Sequence, residues 1–197
     1  MGRPRRHDER TRETLLQAAE ALVGSGGTDA LSLRAVAVAG KTTTRAVYSL
    51  FGSKEGLLEA LALRALDLLV SHIDSVPLSD DPGADLITAA LKGFRPYALA
   101  HPDLFRLVLI GIPGLRLPQK MVFDPATSRG FDGLVRRVER ARLAGHLGSR
   151  SAIEVALHWN ALCLGLATEE LSCMLPPEHA ESAWRDALEA FLVGLDR

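Results

Sequence analysis

Long hydrophobic runs and cysteine are scarce in this 197-residue chain. No stretch reaches 18 uncharged apolar residues, which excludes a membrane-spanning helix. The basic N-terminus is not followed by an apolar segment, so we expect no secretory signal. The two cysteines, Cys163 and Cys173, are separated by about 15 Å along one helical pattern, too far to bridge within it. These absences predict a reduced, cytoplasmic protein with no membrane partner.

A surplus of one charge sign is also missing, since 23 basic and 24 acidic residues give a net charge of −1. The distribution is uneven, however. Residues 1–54 carry nine Lys/Arg against five Asp/Glu, a net of +4, and residues 55–197 carry fourteen against nineteen, a net of −5. With 47% apolar and 24% charged residues, disorder, collagen and coiled-coil fibres are excluded. A basic head on an acidic body indicates that only the head meets a polyanion.

Strand-like alternation is absent, and helical spacing dominates. Apolar residues from Leu15 to Val23 follow one helix face, which predicts a helix over 9–23 that ends at the following glycines. Longer helices are predicted over 54–76, 83–100 (bent at Pro96), 128–146, 149–174 and 177–195. The fold class is therefore all-α with about nine helices, divided into a head, residues 1–53, and a larger body, residues 54–197.

The head contains two short helices joined by a glycine-containing turn. Ser32 is an expected N-cap, Gly40 breaks the first helix, and Thr43 can cap a second one over Thr44–Phe51. Ser53 can cap the helix that follows. This order of caps and turn predicts a helix-turn-helix, whose second helix enters the DNA major groove with its N-terminal residues leading.

The leading residues of that second helix have the chemistry that base reading requires. Arg45 can bind guanine edges bidentately, and threonine hydroxyls can donate, accept or contact a thymine methyl group. Tyr48 and Ser49 are expected to point outward toward phosphates, and Lys54 lies in the first turn of the next helix, where free N–H groups and a cation can hold a phosphate. The candidate DNA-binding residues are Arg34, Lys41, Thr42, Thr43, Thr44, Arg45, Tyr48, Ser49 and Lys54.

Two other features of the head admit different interpretations. Gly40-Lys41-Thr42 could end a phosphate-binding loop, but that loop requires a glycine where Ala35 stands and a strand before it. The N-terminal residues 3–6, Arg-Pro-Arg-Arg, are either a solvated tail or an arm that becomes ordered on DNA.

The segment 32–37, Ser-Leu-Arg-Ala-Val-Ala, and the segment 42–58, Thr-Thr-Thr-Arg-Ala-Val-Tyr-Ser-Leu-Phe-Gly-Ser-Lys-Glu-Gly-Leu-Leu, closely resemble the DNA-binding domain of the TetR family of bacterial transcriptional regulators. The resemblance covers roughly residues 8–60. It implies a homodimer that places one recognition helix of each subunit in the major groove. It also implies a divergent C-terminal domain that binds an inducer and holds the dimer together, and it assigns a phosphate contact to Lys54.

One position departs from the family pattern. The turn glycine of the family usually stands directly before the residues equivalent to Thr42-Thr43-Thr44, and here that place holds Lys41. Two outcomes are open: either the turn has another shape, or Lys41 adopts the left-handed conformation and adds a phosphate contact.

The body offers aromatic and soft side chains for an apolar ligand cavity with a few polar anchors. The candidate ligand-binding residues are Phe94, Tyr97, His101, Phe105, Phe123, Phe131, His158, Trp159 and Cys163. The ligand would be a small-molecule inducer, and no cofactor is predicted. Glu154 and His158 have the i, i+4 spacing of a metal site, but no third ligand is evident, so we predict no metal.

The last two helices carry more apolar surface than one chain can bury. Two copies that pack as a four-helix bundle would bury the rest, and an intramolecular hairpin is the alternative. Two-fold symmetry would present two recognition helices to a palindrome with half-sites about 34 Å apart.

The expected function is a ligand-responsive repressor that an inducer releases from a palindromic operator in double-stranded DNA. Alternatives are a DNA-binding regulator without a small-molecule ligand, or an all-helical carrier or enzyme. Since no catalytic grouping stands out at useful spacing, we do not expect an enzyme.

Overall fold

A computed structural model describes residues 5–107 and 129–195, and every regular element in these two ranges is helical. The nine helices of the described residues are α1 (Arg5–Gly26), α2 (Leu33–Ala39), α3 (Thr44–Phe51), α4 (Lys54–Asp74), α5 (Pro82–Ala89 and Arg95–Ala100, joined by a π-helical turn, Ala90–Phe94), α6 (Pro102–Phe105), α7 (Arg129–Leu143), α8 (Ala152–Leu171) and α9 (Pro177–Leu195). The all-α prediction is confirmed. Within these ranges, no helix has the length and apolarity that a bilayer crossing requires.

The predicted caps of the head are present. Ser32, Thr43 and Ser53 have extended backbones, and the side-chain oxygen of each accepts the N–H three residues later at 3.1 Å. Each cap satisfies one of the N–H groups that a helix start leaves free. Helices α2, α3 and α4 therefore begin where the sequence predicts.

The first helix ends later than predicted. Gly24 and Gly26 lie inside α1, which ends at Gly26 before Gly27 takes a φ of 65°. At Gly24 a Cβ atom would overlap the carboxylate of Asp103 in α6. This glycine therefore serves a close approach between helices rather than a helix end.

Two apolar clusters make up the core. The first belongs to the head: side chains of α1, α2 and α3 pack on the N-terminal half of α4, and Leu104 and Leu107 of the body join them. The second fills the body between α5, α7, α8 and α9. Leu68 of α4 packs against both clusters, so this single helix runs from one to the other.

Helix α5 widens just before Pro96. Proline has no N–H, and in a regular helix its ring would collide with the carbonyl of Lys92, four residues earlier. The chain instead forms the π-helical turn, in which the N–H of Arg95 donates to the carbonyl of Ala90. This widening relieves the clash, and a turn of this kind is itself a common cause of a helix bend, so the bend predicted at Pro96 stays a prediction.

Asp85 ties the loop after α4 to the body. Its buried carboxylate accepts the N–H of Ser79 at 2.9 Å, the hydroxyl of Ser79 at 2.7 Å and Nη1 of Arg140 at 2.7 Å. Burial raises the pKa of Asp85, but these hydrogen bonds and the nearby cation outweigh it and hold the pKa below its ordinary value. The contacts fix α7 against the start of α5.

Candidate functional site: nucleic-acid interface and buried cluster

Helix α3 buries one face and exposes its leading turn. Val47 is fully buried and Phe51 nearly so, whereas Thr44, Arg45 and Ser49 are exposed. The Tyr48 side chain is 63% exposed, which is unusual for so large an aromatic residue. The exposed set is polar: Thr44 and Arg45 lead the helix, and Tyr48 and Ser49 lie one turn further on, where base and phosphate contacts are both open to them.

The predicted DNA-binding residues are all at the surface or partly so. Arg34, Lys41, Thr43, Thr44, Arg45, Tyr48 and Ser49 are exposed, and Thr42 and Lys54 are half-buried. The hydroxyl oxygen of Thr43 accepts the N–H of Ala46, so Thr43 caps α3 in the absence of DNA. The contact of each residue with DNA stays a prediction.

The turn before α3 shows which of the two outcomes for Lys41 holds. Lys41 has a φ of 50°, its N–H donates to the carbonyl of Val38 at 3.2 Å, and the N–H of Thr42 donates to Ala37 at 2.9 Å. This pair of bonds is the Schellman pattern that ends helices, with Lys41 at the position glycine usually takes. Gly40 is needed for a different reason, since a Cβ atom there would overlap Leu15 of α1.

Lys41→Gly is expected to raise the free energy of unfolding by about 1 kcal/mol, because a left-handed backbone costs lysine about that much more than glycine. Urea unfolding followed by circular dichroism measures this change. If Lys41 contacts a phosphate, the variant also has a shallower salt dependence of DNA binding, by about one counterion per subunit. Lys41→Gln separates the effects: it loses the charge, keeps the strained backbone, and should gain no stability.

The start of α4 lies directly against the end of α3. The hydroxyl of Ser53 accepts the N–H of Gly56, and a Cβ atom at Gly56 would overlap the carbonyl oxygen of Phe51. This close approach fixes where the half-buried Lys54 stands relative to the recognition helix. The site is therefore rigid on both sides of α3, at the Lys41 turn and at Gly56.

Five of the predicted ligand-binding residues come together in the body cluster. The side chains of Phe94, Tyr97, Phe105, Trp159 and Cys163 are all buried there. Phe94 lies edge-on to Phe105, with ring centroids 6.0 Å apart. Burial raises the pKa of the Cys163 thiol to about 12, so this group stays protonated and unreactive.

The other four are placed differently. Phe131 is half-buried and packs against the body cluster, whereas His158 is exposed on α8, away from it. His101 is half-buried and faces α1, with its Nδ1 atom 3.0 Å from Oε1 of Glu20. Phe123 lies outside the described residues.

Tyr97 is the polar anchor of this cluster. Its side chain is fully buried, and its hydroxyl has no hydrogen-bond partner among the residues that the structure describes. Burial, and then the negative charge of Glu20, raise the pKa of Tyr97 above its ordinary value. The hydroxyl is thus neutral and keeps its capacity to donate and to accept a hydrogen bond.

Tyr97→Phe is expected to raise the free energy of unfolding by about 1 kcal/mol, because it removes a buried polar group that costs about 1–3 kcal/mol when unpaired. Urea denaturation of the two proteins measures the difference. Tyr48→Phe, which removes an exposed hydroxyl, should change nothing. A loss of stability at position 97 would show that the protein itself pairs this hydroxyl in solution.

The sequence did not predict the roles of two arginines of the body, Arg95 and Arg137. The guanidinium of Arg95 donates to Glu170 at 2.7 Å, and the indole N–H of Trp184 donates to the same carboxylate at 2.9 Å. Arg137 donates through Nη2 to the carbonyl of Ile73 at 2.9 Å, and its buried Nη1 has no partner in the described residues. These partners lie far apart along the chain, and no local sequence signal could identify them.

Metal binding finds no support in the described ranges, where no three or more His, Cys, Asp and Glu side chains converge. Glu154 instead forms a capping box with Ser151 at the start of α8. Glu154 and His158 are both exposed on α8, and the role of Glu154 there is to cap the helix.

Comparisons with known proteins identify the family of both parts. Residues 15–61 match the model for bacterial regulatory proteins of the tetR family, and residues 87–191, more than half of the chain, match the tetracyclin repressor-like C-terminal domain. Among curated proteins, none matches the sequence.

Solved structures agree over nearly the whole length. A protein of unknown function from Rhodococcus sp. RHA1 is 27% identical with a TM-score of 0.81, covering 95% of this chain and 96% of its own. PfmR, a TetR family transcriptional regulator from Thermus thermophilus, is 26% identical with a TM-score of 0.66, covering 93% and 99%. A TetR variant from Acinetobacter baumannii AYE in complex with minocycline shares the fold at 22% identity and a TM-score of 0.65, covering 94% and 96%.

The helix-turn-helix, the helical body and both family matches lead to one conclusion. The chain belongs to the TetR family of bacterial regulatory proteins, whose members are DNA-binding regulators rather than enzymes.

Proposed function

We propose that the protein is a homodimeric repressor that a small, largely apolar inducer releases from a palindromic operator. The observation that carries this proposal is the path of α4. The helix begins at Lys54 beside the recognition helix and reaches His72, whose ring lies 5.8 Å from the ring of Tyr97 in the body cluster. At 1.5 Å per residue it spans about 30 Å, so it can carry a displacement from one site to the other.

The body cluster suits an inducer that is mostly apolar with one polar group. Its side chains are aromatic and aliphatic, and the Tyr97 hydroxyl within it has no hydrogen-bond partner among the described residues. The minocycline complex of the Acinetobacter relative supports a small-molecule site in this fold. An inducer that prefers one position of α4 shifts the population of head positions, with a coupling of about 1–3 kcal/mol.

The dimer is proposed to form through α8 and α9. Ile153 and Leu157 are 55% and 49% exposed, and Ala161 and Gly165 continue the same face at intervals of four. A side chain at Gly165 would meet nothing within 4 Å. On α9, Val193 is 58% exposed and Gly194 follows it. Two such faces would close into a four-helix bundle.

A bacterial regulator of this type meets its operator in the cytoplasm, and the proposed function locates the protein there. The proposed DNA-binding role covers the nine candidate DNA-binding residues, and the proposed inducer site covers the five candidates buried in the body cluster.

Selection of duplexes from a random library by the purified full-length protein tests the DNA half of the proposal. The expected product is an inverted repeat whose half-sites lie on one face of the duplex, about 34 Å apart or a multiple of it. Recovery of unrelated sequences with no symmetry would overturn it.

Native mass spectrometry of protein purified from its own host tests the inducer half. A retained small molecule that is lost in Tyr97→Phe supports the body cluster as its site. A regulator without a small-molecule ligand would show the bare mass in both proteins and unchanged operator affinity in host extract.

A further inference from the structure

We infer that Glu20 is a positioning residue that ties the head to the body and thereby sets the distance between the two recognition helices of the dimer; this inference rests on the proposed function. Glu20 lies on α1. Its Oε1 atom is 3.0 Å from Nδ1 of His101, between α5 and α6, and its Oε2 atom is 3.5 Å from Nε of Arg64 on α4. One carboxylate thus contacts α4 and the junction between α5 and α6.

The carboxylate stands at a tight junction. A Cβ atom at Gly24, one turn further along α1, would overlap Asp103 of α6, and Leu104 packs within the head cluster. The side chains of Glu20 and His101 are only 22% and 23% exposed. A charge-assisted bond that is partly shielded from water is stronger and more directional than an exposed ion pair.

The packing between α1 and α4 is interrupted at the surface beside Arg64. A groove of about 420 Å³ opens there, with Leu16, Leu63 and Asp67 among its walls. Nη1 of Arg64 donates to both carboxylate oxygens of Glu13 on α1, at 2.5 and 2.7 Å. Arg64 thus holds α1 against α4 across the groove, and the bond from Glu20 to His101 holds α1 against the junction of α5 and α6.

The position of α1 decides the position of α3. Helices α1, α2 and α3 share one apolar cluster with the first half of α4 and with Leu104 and Leu107 of the body. A shift of α1 would therefore reach α3 through this cluster. His101 also borders the proposed inducer site, because its ring centroid is 5.7 Å from that of Tyr97 and 6.1 Å from that of His72. A ligand that engages Tyr97 can therefore act on the Glu20 contact directly, in addition to acting through α4.

The first experiment measures how strictly the protein selects operator spacing. The selected palindrome is remade with one, two or three base pairs added or removed between its half-sites, each step displacing a half-site by about 3.4 Å. For the wild-type protein we expect operator affinity to fall at least about 10-fold for each base pair added or removed. The Glu20→Ala protein should bind the operator of selected spacing about 10-fold more weakly than wild type. Its affinities for the different spacings should differ from one another by less than about 3-fold. Affinity for a single half-site should not change.

Matched variants separate positioning from charge and stability. Glu9→Ala removes the same charge from an exposed position of the same helix and should keep the wild-type spacing profile. His101→Phe keeps a ring beside Tyr97 but loses the contact to Glu20, and should reproduce Glu20→Ala. If Glu20→Ala and Glu9→Ala have the same profile, the inference is wrong.

The second experiment needs neither DNA nor dimer formation. Nitroxides at Ser49→Cys and Leu143→Cys, in a Cys173→Ser background and diluted with unlabelled chain, report the distance from head to body by double electron–electron resonance. Wild type and Glu9→Ala should give one narrow distribution, and Glu20→Ala a distribution at least about twice as wide. Equal widths would overturn the inference. A wild-type protein that selects no duplex would refute the proposed function while leaving this readout decisive for Glu20.

Discussion

Arg45→Ala should weaken binding to the selected operator by about 30-fold to about 10⁴-fold. A bidentate contact between arginine and a base is worth about 1–3 kcal/mol of discrimination, and a dimer loses two of them. Arg45 is exposed in the leading turn of α3, with the helix held by the Thr43 cap on one side and by buried Val47 on the other. Its side chain is therefore presented without disturbing the fold.

Fluorescence anisotropy at one fixed salt concentration, with the operator and with a scrambled duplex, measures this effect. Arg150→Ala, which removes the same charge from an exposed site of the body, should change operator affinity by less than about 2-fold. Equal losses on the operator and the scrambled duplex would contradict base reading and would make Arg45 a phosphate contact.

Leu157→Glu is expected to convert the dimer into monomers at micromolar concentration. Burial of each leucine contributes about 1.5–3 kcal/mol, and a carboxylate in its place carries a desolvation penalty of several kcal/mol. Because the proposed interface is two-fold symmetric, both terms count twice. Operator affinity should fall by more than about 10³-fold, since a monomer presents a single recognition helix.

Light scattering and operator titration measure the two consequences together. Leu78→Glu is the control, because Leu78 is 55% exposed against 49% for Leu157 and lies between α4 and α5, away from the proposed interface. It should leave both mass and affinity unchanged. A Leu157→Glu protein that keeps the dimer mass would show that the copies associate through another surface, or that α8 and α9 form only the intramolecular hairpin.

The parts of the fold that sequence predicted best are those determined by neighbouring residues. Ser32, Thr43 and Ser53 cap the helices they precede, because an N-cap depends on a side chain and an N–H three residues away. The exposure of Tyr48 and the burial of Val47 follow from helical periodicity in the same way. The family resemblance added the order of these elements and the roles of α3 and Lys54.

The parts that sequence missed depend on residues far apart in the chain. Glu20 and His101 are 81 residues apart, and Arg95 and Glu170 are 75 apart. Gly24 reads as a helix end but lies inside α1 against the carboxylate of Asp103, and Gly40 reads as the turn residue but packs against Leu15. In each case the local sequence allows several roles for the residue, and a contact with a residue far along the chain determines which role it has.

The π-helical turn of α5 has a consequence for how the body is assembled. One additional residue in a helix rotates everything after it by about 100° relative to everything before it. The half before the turn can therefore pack on α7 and α9, while the half after it packs on α4, α6 and α8. The two halves of this one helix thus present differently oriented faces to their neighbours. Because Pro96 requires the wide turn at this place, the rotation between the two halves is built into the sequence, and it lets both halves bury side chains against neighbours on different sides.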